Sequence, residues 1–354
     1  MKNFYKYLLI VCLIGLLTTE VEMMQAGNKD RSGQAGASEL LLNPWARSSG
    51  WGSVNIAGVR GIEGMYINVA GVAFTEGTEI AFTHTDWLKG ADINVYSFGF
   101  SQKMGESGAL GLAVMSMNFG DIPITTYDLP EGGIGNFSPS YLNVNVAYSH
   151  IFSNSIYGGI NLKIISESVS DMSAQGIAID AGIQYVTGPL QNIKFGIALK
   201  NVGPSMKFSG DGLSLQSFIP GQNNAFTLEQ RVSAFELPAQ LLIGGAYDIH
   251  MESNRLTLAG SFTSNSFSKD QFTLGGEFSL KEYVMLRAGY TYEEGITGDL
   301  GSEDKTNVFK GFSAGLSVQV PLNKEAGTRF AVDYSFRSTE HFDNTHSIGA
   351  KIYL

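Results

Sequence analysis

From about residue 78 to the C-terminus, apolar residues alternate with polar or small residues at a period of two. The segment 141–148 is typical: Leu142, Val144 and Val146 fall on one side of an extended chain, and Asn143 and Asn145 fall on the other. A period of two is that of a β-strand with one face in an apolar medium, and the helical period is almost absent. The pattern predicts an all-β chain.

Segments of roughly ten residues carry this alternation, with turn-forming residues between them. We predict fourteen strands at 78–86, 91–102, 109–119, 141–150, 156–167, 175–187, 192–202, 239–250, 254–263, 271–280, 283–293, 309–320, 328–337 and 345–354. An even number of antiparallel strands fits a closed barrel whose two ends lie on the same side. The predicted fold is therefore a 14-stranded antiparallel transmembrane β-barrel over residues 78–354.

The lengths of the connections and the placement of charges favour a membrane barrel. The connections after the third, seventh and eleventh strands are long, and those after the fourth, eighth and tenth are short. Outer-membrane barrels have long outer loops and short periplasmic turns. Seven charged residues within the strands fall on the polar face: Lys163, Asp180, Lys194, Glu277, Arg287, Asp333 and Lys351. The alternative is a secreted soluble β-sandwich or solenoid, which gives no reason for either regularity.

Composition excludes some classes of protein and of partner. The 354 residues include 33 Asp and Glu against 23 Lys and Arg, which gives a formal charge of −10. Because no basic stripe is visible in this acidic chain, we expect no nucleic-acid partner. Only 16% of the residues are charged and 44% are hydrophobic, so the chain is too apolar for disorder.

Residues 1–26 have the pattern of a cleaved Sec signal peptide. Lys2 and Lys6 precede the apolar run 7–17, and cleavage is expected after Ala26. The run is too short for a membrane-spanning helix, which needs about 20 residues. Cys12, the one cysteine, lies inside the run, so the mature chain is expected to have neither disulfides nor thiolate metal sites. These features predict export to the bacterial outer membrane.

Residues 27–77 differ from the barrel: they are rich in Gly and Ala and give only weak strand or helix signals. A barrel of fourteen strands is too wide for its own side chains to fill. We therefore predict that this segment is a plug, or hatch, inside the lumen. The alternative is a flexible periplasmic tail, in which Trp45, Trp51 and the run Leu40–Leu42 would be poorly placed in water.

Two motifs in this region carry a family resemblance. They are Gly50-Trp-Gly-Ser-Val-Asn-Ile-Ala-Gly58 and Tyr66-Ile-Asn-Val-Ala-Gly-Val-Ala73, and the later run 79–88 is similar to a first barrel strand and loop. They resemble the glycine-rich stretch and the Y-x-N-P-A-G-L-A signature of barrels similar to the long-chain fatty-acid transporter FadL. The closer resemblance is to the PorV/PorQ family of the type IX secretion system.

The resemblance implies a FadL-like barrel that assists exported cargo carrying C-terminal signal domains. It marks Tyr66, Asn68, Ala70 and Gly71 as the hatch signature. The family proline is replaced by Val69, so the turn after Asn68 loses a fixed φ angle.

No enzyme chemistry is expected from the sequence. Gly311-Phe-Ser-Ala-Gly315 matches the nucleophile-elbow pattern, but that motif needs a strand–turn–helix context and here it lies inside an alternating strand. The five histidines are scattered and lack metal-ligand spacing. The acidic run at 293–304 is either a solvated outer loop or a calcium site. We expect no catalytic residues, no cofactor and no resident metal.

Partner contacts are expected on the outer loops, in particular at Trp87, Pro123, Tyr127, Pro130, Phe218 and Pro220. The loop 203–238 is rich in apolar residues, which suggests either a contact surface or a lid packed over the barrel mouth. The sequence leaves both alternatives open.

Two functions follow from these observations. The first is a non-enzymatic outer-membrane component of the type IX secretion system, embedded in outer-membrane lipid, that binds the translocon or cargo proteins. The second is a FadL-like transporter of a hydrophobic ligand, for which the charged inner face is poorly suited. An open general porin is a distant third, because residues 27–77 would obstruct the lumen.

Overall fold

A computed structural model describes residues 29–218, 224–298, 305–323, 325 and 327–354. The expected signal peptide and Pro220 lie outside these ranges. Within them the chain forms one closed barrel of fourteen antiparallel strands, in which each strand pairs with its neighbours in sequence and the first pairs with the last. The predicted fold class is thereby confirmed.

The strands are β1 Thr78–Trp87, β2 Ile93–Met104, β3 Gly108–Asn118, β4 Ser140–Ile151, β5 Ile156–Val169, β6 Met172–Thr187, β7 Ile193–Val202, β8 Gln240–Met251, β9 Asn254–Asn265, β10 Gln271–Leu280, β11 Val284–Glu293, β12 Phe309–Asn323, β13 Thr328–Thr339 and β14 Thr345–Tyr353. Most ends lie within three residues of the predicted ones. The differences fall at turns, where pairing in the tight hairpins continues past the alternating run.

Alternation along each strand separates a lipid-facing wall from the lumen. In β6, Ile177, Ile179 and Ile183 are about half exposed, whereas Ala178 and Asp180 between them are buried. All seven strand charges assigned to the polar face are buried in the lumen. Closing the sheet into a barrel pairs the backbone groups of every strand, which is the condition for crossing a bilayer with β-structure.

Long and short connections lie on opposite ends of the barrel. The loops 119–139, 203–239 and 294–308 leave one end, and turns such as 105–107 and 252–253 close the other. The short-turn end is the periplasmic one in barrels of this type. Two of the long loops contain small β-hairpins that the sequence pattern did not predict, Ile122–Pro123 with Asn136–Phe137 and Ser214–Phe218 with Ala225–Glu229.

Two irregularities interrupt the barrel ladder at its outer half. Between β6 and β7 the register shifts so that Lys200 and Asn201 together oppose Asp180, which is a β-bulge. Asn201 has φ 60°, a left-handed conformation that asparagine tolerates. Between β12 and β13 the register shifts next to Gly311, whose φ is +87°. The bulge in β7 turns two consecutive side chains toward the lumen.

Residues 29–77, here called the lumen segment, lie inside the barrel. They contain the single α-helical turn Ala46–Ser49 and four 3₁₀ helices, Lys29–Arg31, Ser38–Leu41, Gly61–Tyr66 and Val69–Phe74. The last two pack against each other and against β1 to β6. Within the described ranges, no helix is both long enough and apolar enough to cross a membrane.

Candidate functional site

The lumen segment is held by a belt of inward-facing glycines. Ten strands contribute one each, and a Cβ added at any of them would meet an atom of the lumen segment: Gly99, Gly111, Gly159, Gly182, Gly196, Gly244, Gly275, Gly289, Gly315 and Gly349. At Gly196, for example, the added Cβ would lie 2.5 Å from the carbonyl oxygen of Ile56. Because the backbones approach this closely, the lumen is filled at the level of the belt.

The signature residues Tyr66, Asn68, Ala70 and Gly71 are all buried within this packing. Asn68 donates from Nδ2 to the carbonyl oxygens of Ile56 and of Ile183 in β6, both at 3.0 Å. Its Oδ1 accepts from the Ala70 N–H at 3.2 Å and so caps the helix Val69–Phe74. Asn68 therefore fixes the lumen segment to the barrel wall and starts the following helix.

Two further features explain the signature. The hydroxyl of Tyr66 accepts from Asn145 Nδ2 at 3.0 Å. A Cβ at Gly71 would lie 2.5 Å from the Val59 carbonyl oxygen, so the position is closed to larger residues. Val69 is the first helical residue, a position that suits proline, and the Asn68 cap forms here without it.

Ion pairs join the lumen segment to strands β10 and β14 of the barrel wall. Glu63 Oε1 lies 2.7 Å from Lys351 Nζ in β14, and Glu63 Oε2 accepts from the hydroxyl of Ser48. Arg47 lies 3.6 Å from Glu277 in β10. Glu277 also accepts from Arg287 Nε at 2.6 Å. Each buried carboxylate thus faces more than one cation or hydroxyl donor.

A second charge cluster joins β5, β6 and β7. Asp180 Oδ2 lies 2.8 Å from Lys163 Nζ and accepts from Asn161 at 3.2 Å, and Asp180 Oδ1 accepts from the Asn201 N–H at 2.8 Å. Lys163 also donates to Asn201 Oδ1 at 2.6 Å. These hydrogen bonds hold the β7 bulge against β6 and β5.

Below the belt, a cavity of about 580 Å³ opens toward the short-turn end; we call it the vestibule. Its walls carry both signs of charge, for example Lys194 and Asp248 at 2.5 Å, with Arg255 bridging Asp248 and Glu277. Arg60 from the lumen segment lies over the Phe74 ring at 4.9 Å. A wall of this kind suits a polar or charged occupant better than a hydrocarbon.

At the outer mouth, the base of the loop 203–239 packs onto the lumen segment. Met206 and Phe235 exchange backbone hydrogen bonds at 2.9 Å, and the Phe235 ring covers Gly36. Arg31 pairs with Glu236 at 2.7 Å. The base therefore covers part of the mouth, while the hairpin farther along the loop leaves Leu215 and Phe218 exposed.

The expected contact residues occupy different environments. Tyr127 is fully exposed, and Pro123, Pro130 and Phe218 are exposed as well. Trp87 is instead partly buried, with its ring edge against Phe309 at 5.5 Å between centroids. The structure thus brings the exposed residues to the outer face and turns Trp87 toward the barrel.

The sequence alone did not reveal the glycine belt or the role of Glu63 and Arg47. The signal for the belt was present, since glycines recur at inward positions of the alternating strands. In the described part of the chain, no group of three or more His, Cys, Asp or Glu side chains could hold a metal ion. The G-x-S-x-G motif lies within β12, where Ser313 donates to the Gly289 carbonyl oxygen at 3.2 Å.

A closed fourteen-strand barrel with an apolar outer wall and an occupied lumen is an outer-membrane β-barrel protein. The chain matches the model of the type IX secretion system membrane protein family PorP/SprF over residues 131–338, which is more than half of its length. The chain belongs to this family. The secretion system expected from the sequence is thereby supported, whereas the closer resemblance to PorV/PorQ is not confirmed.

Solved structures show the same fold. The toluene transporter TodX of Pseudomonas putida has a TM-score of 0.53 at 12% identity, with 88% of this chain and 97% of that chain covered. The toluene transporter TbuX of Ralstonia pickettii has a TM-score of 0.52 at 14% identity and the same coverage. The monoaromatic hydrocarbon channel CymD has a TM-score of 0.52 at 13% identity, again with that coverage. No curated protein sequence matches the chain.

Proposed function

We propose that this chain is a non-enzymatic outer-membrane component of the type IX secretion system that binds the translocon, or exported cargo with C-terminal signal domains. In this role the barrel binds other proteins during export, and the exported chain does not pass through its lumen. Family membership supports the secretion role. The observation that carries the mode of action is the glycine belt, because its contacts with the lumen segment leave no room for a passing chain.

We also assign one lateral wall of the barrel as a contact surface, in addition to the outer loops, because this wall carries a band of small residues. Five neighbouring strands, β8 to β12, each place a small residue on the lipid face near mid-height: Gly245, Gly260, Gly276, Ala288 and Ala314. Small residues let backbones approach closely in a membrane. Bulky side chains such as Leu274 and Leu286 border the band.

The second candidate is a transporter of a hydrophobic small molecule. The fold shared with hydrocarbon channels favours it, but a fold does not determine function. The vestibule is lined by ion pairs, which does not suit an apolar substrate. We therefore rank this function second.

Affinity purification of the tagged protein from gently solubilised outer membranes, followed by mass spectrometry, tests the proposal. We expect secretion-system proteins, or secreted proteins that share C-terminal domains, to co-purify. Ala288→Leu should reduce their recovery severalfold, and Ala181→Leu on β6, which also faces lipid, should not.

Recovery of the barrel alone with a bound apolar small molecule would favour the transporter. Equal recovery from Ala288→Leu and Ala181→Leu would remove the lateral wall from the proposal and leave the outer loops.

A further inference from the structure

A second cavity lies above the glycine belt, between the lumen segment and the outer mouth; we call it the outer cavity. Its volume is about 120 Å³, and Tyr66, Lys200 and Gln240 are among the residues that line it. Leu41 lines it as well and is 38% exposed, so the cavity communicates with the mouth. It is separate from the vestibule and shares no lining residue with it.

Lys200 lines this cavity and lies beside the β7 bulge. In a regular strand, Lys200 and Asn201 would face opposite sides, but here both are buried, at 5% and 1% exposure. β-Bulges are known to redirect side chains in this way. Lys200 faces the lumen by the alternation of β7, and the bulge adds Asn201, which belongs to the Asp180 cluster, beside it.

Asp180 forms its ion pair with Lys163 rather than with Lys200. Its two oxygens already accept from Lys163, Asn161 and the Asn201 backbone. Among the described residues, Lys200 has neither an ion-pair partner nor a hydrogen-bond partner. A buried ammonium without a partner costs several kcal/mol, so a lysine in this position either gives up its proton or takes an anionic partner. Of the two lysines near Asp180, Lys163 forms the ion pair and Lys200 lines the cavity.

The rest of the lining also favours an anion. Among the described residues that line the outer cavity there is no Asp or Glu, although the chain as a whole carries a charge of −10. A second cation, Arg337, lines the cavity with its guanidinium 4.0 Å from the centre of the Phe309 ring. The Tyr66 oxygen accepts from Asn145, which leaves its own proton available for donation.

We propose that the outer cavity binds a small organic monocarboxylate, whose carboxylate pairs with the Lys200 ammonium. The apolar part of the ligand lies against Leu41, Ile67 and Leu242, which line the same space. These apolar residues suit an organic carboxylate better than an inorganic phosphate, which has no apolar part. The cavity volume limits the ligand to about the size of benzoate. This inference does not rest on the proposed secretion role.

Calorimetry on the purified full-length protein in detergent tests the site, with benzoate as the probe and neutral benzamide as its isostere. We expect benzoate to bind and benzamide to bind about tenfold more weakly or worse, because the neutral amide oxygen can accept a hydrogen bond from Lys200 but cannot form an ion pair with it. Lys200→Met should weaken benzoate binding by about the same factor. Lys200→Arg, which keeps the charge, should retain most of it.

Lys207→Met is the matched control, since it removes one positive charge from an exposed position of the outer loop. It should leave benzoate binding unchanged. Heat-modifiable migration on gels reports whether each variant is folded. Absence of benzoate binding to the wild type, or equal binding to folded Lys200→Met, overturns the proposal and leaves the secretion role untouched.

Discussion

Glu63 shows how one residue can hold the lumen segment in place. Its carboxylate is buried and meets Lys351 of β14 at 2.7 Å. Burial by itself raises the pKa of Glu63, but the nearby Lys351 ammonium and Arg47 guanidinium outweigh it and hold the pKa below its usual range. Glu63 is therefore ionised in the folded protein, and its charge belongs to a pair that joins the lumen segment to the wall.

We expect Glu63→Gln to lower the free energy of unfolding by about 3–5 kcal/mol, because it leaves Lys351 buried without its partner. Since the pKa of Glu63 is lower folded than unfolded, its stabilising contribution is complete above the unfolded pKa. It is lost as the pH falls through the folded value. Urea unfolding in detergent micelles, followed by tryptophan fluorescence at neutral and acidic pH, measures both effects.

The double variant Glu63→Gln with Lys351→Met is the control. It removes the unpaired charge and should recover much of the stability. A loss in the double variant equal to that in Glu63→Gln, together with an unchanged pH dependence, would contradict the assigned role of the pair.

Individual residues were predictable only where a local pattern marked them. Tyr66 and Asn68 stand in a recognisable run, and the structure buries both. Glu63 has no such pattern, because its partner Lys351 lies 288 residues away in the sequence. Lys200 lies at an inward position of the alternating run of β7, but its relation to Asp180 and Lys163 depends on how β5, β6 and β7 pair, which the sequence does not show.

The glycine belt depends on how each β-strand divides its residues between the lumen and the lipid. The belt glycines occupy inward positions of strands whose outward positions carry large apolar residues. The strands could be predicted from the period of two, because lipid on one side of the barrel imposes this alternation on every strand. The belt did not follow, because the inward glycines of the alternating strands do not by themselves show that another segment packs against them.

We expect Gly196→Ala to lower the free energy of unfolding by about 1–3 kcal/mol, because overpacking costs energy of this order. The added Cβ would meet the Ile56 carbonyl oxygen at 2.5 Å. Gly245→Ala in β8 is the control, since its Cβ would face lipid with no atom nearer than 3.8 Å. Its effect should stay within about 0.5 kcal/mol.

Urea midpoints of the two variants, measured side by side, decide this. Limited proteolysis gives a second readout, because a loosened lumen segment should be cleaved sooner in Gly196→Ala. Equal midpoints and equal cleavage would show that the belt does not hold the segment.

The whole molecule combines a barrel wide enough for a channel with a lumen that its own N-terminal segment fills. Contacts run from the outer mouth, where Arg31 meets Glu236, to the vestibule beside Glu63 and Lys351. The same barrel serves hydrocarbon channels, so its shape leaves the function open. Strand number and loop asymmetry predicted the architecture, and the width of the barrel predicted a plug, whereas the contacts that hold the lumen segment became visible only in the structure.

The central claim is that the protein supports export with its lumen closed. A disulfide can test it, because the chain has no cysteine other than Cys12. A Cβ at Gly349 would lie 3.6 Å from the Cβ of Ala46, which is a disulfide separation. Ala46→Cys with Gly349→Cys therefore locks the lumen segment to β14, and Ala46→Cys alone is the control.

The deciding measurement is secretion of type IX cargo by a strain that carries only the locked variant, with the disulfide verified on non-reducing gels. We expect cargo secretion equal to that of the wild type and of the single-cysteine control. Secretion that stops while the disulfide is intact, and returns when it is reduced, would contradict the claim and show that the lumen segment must move.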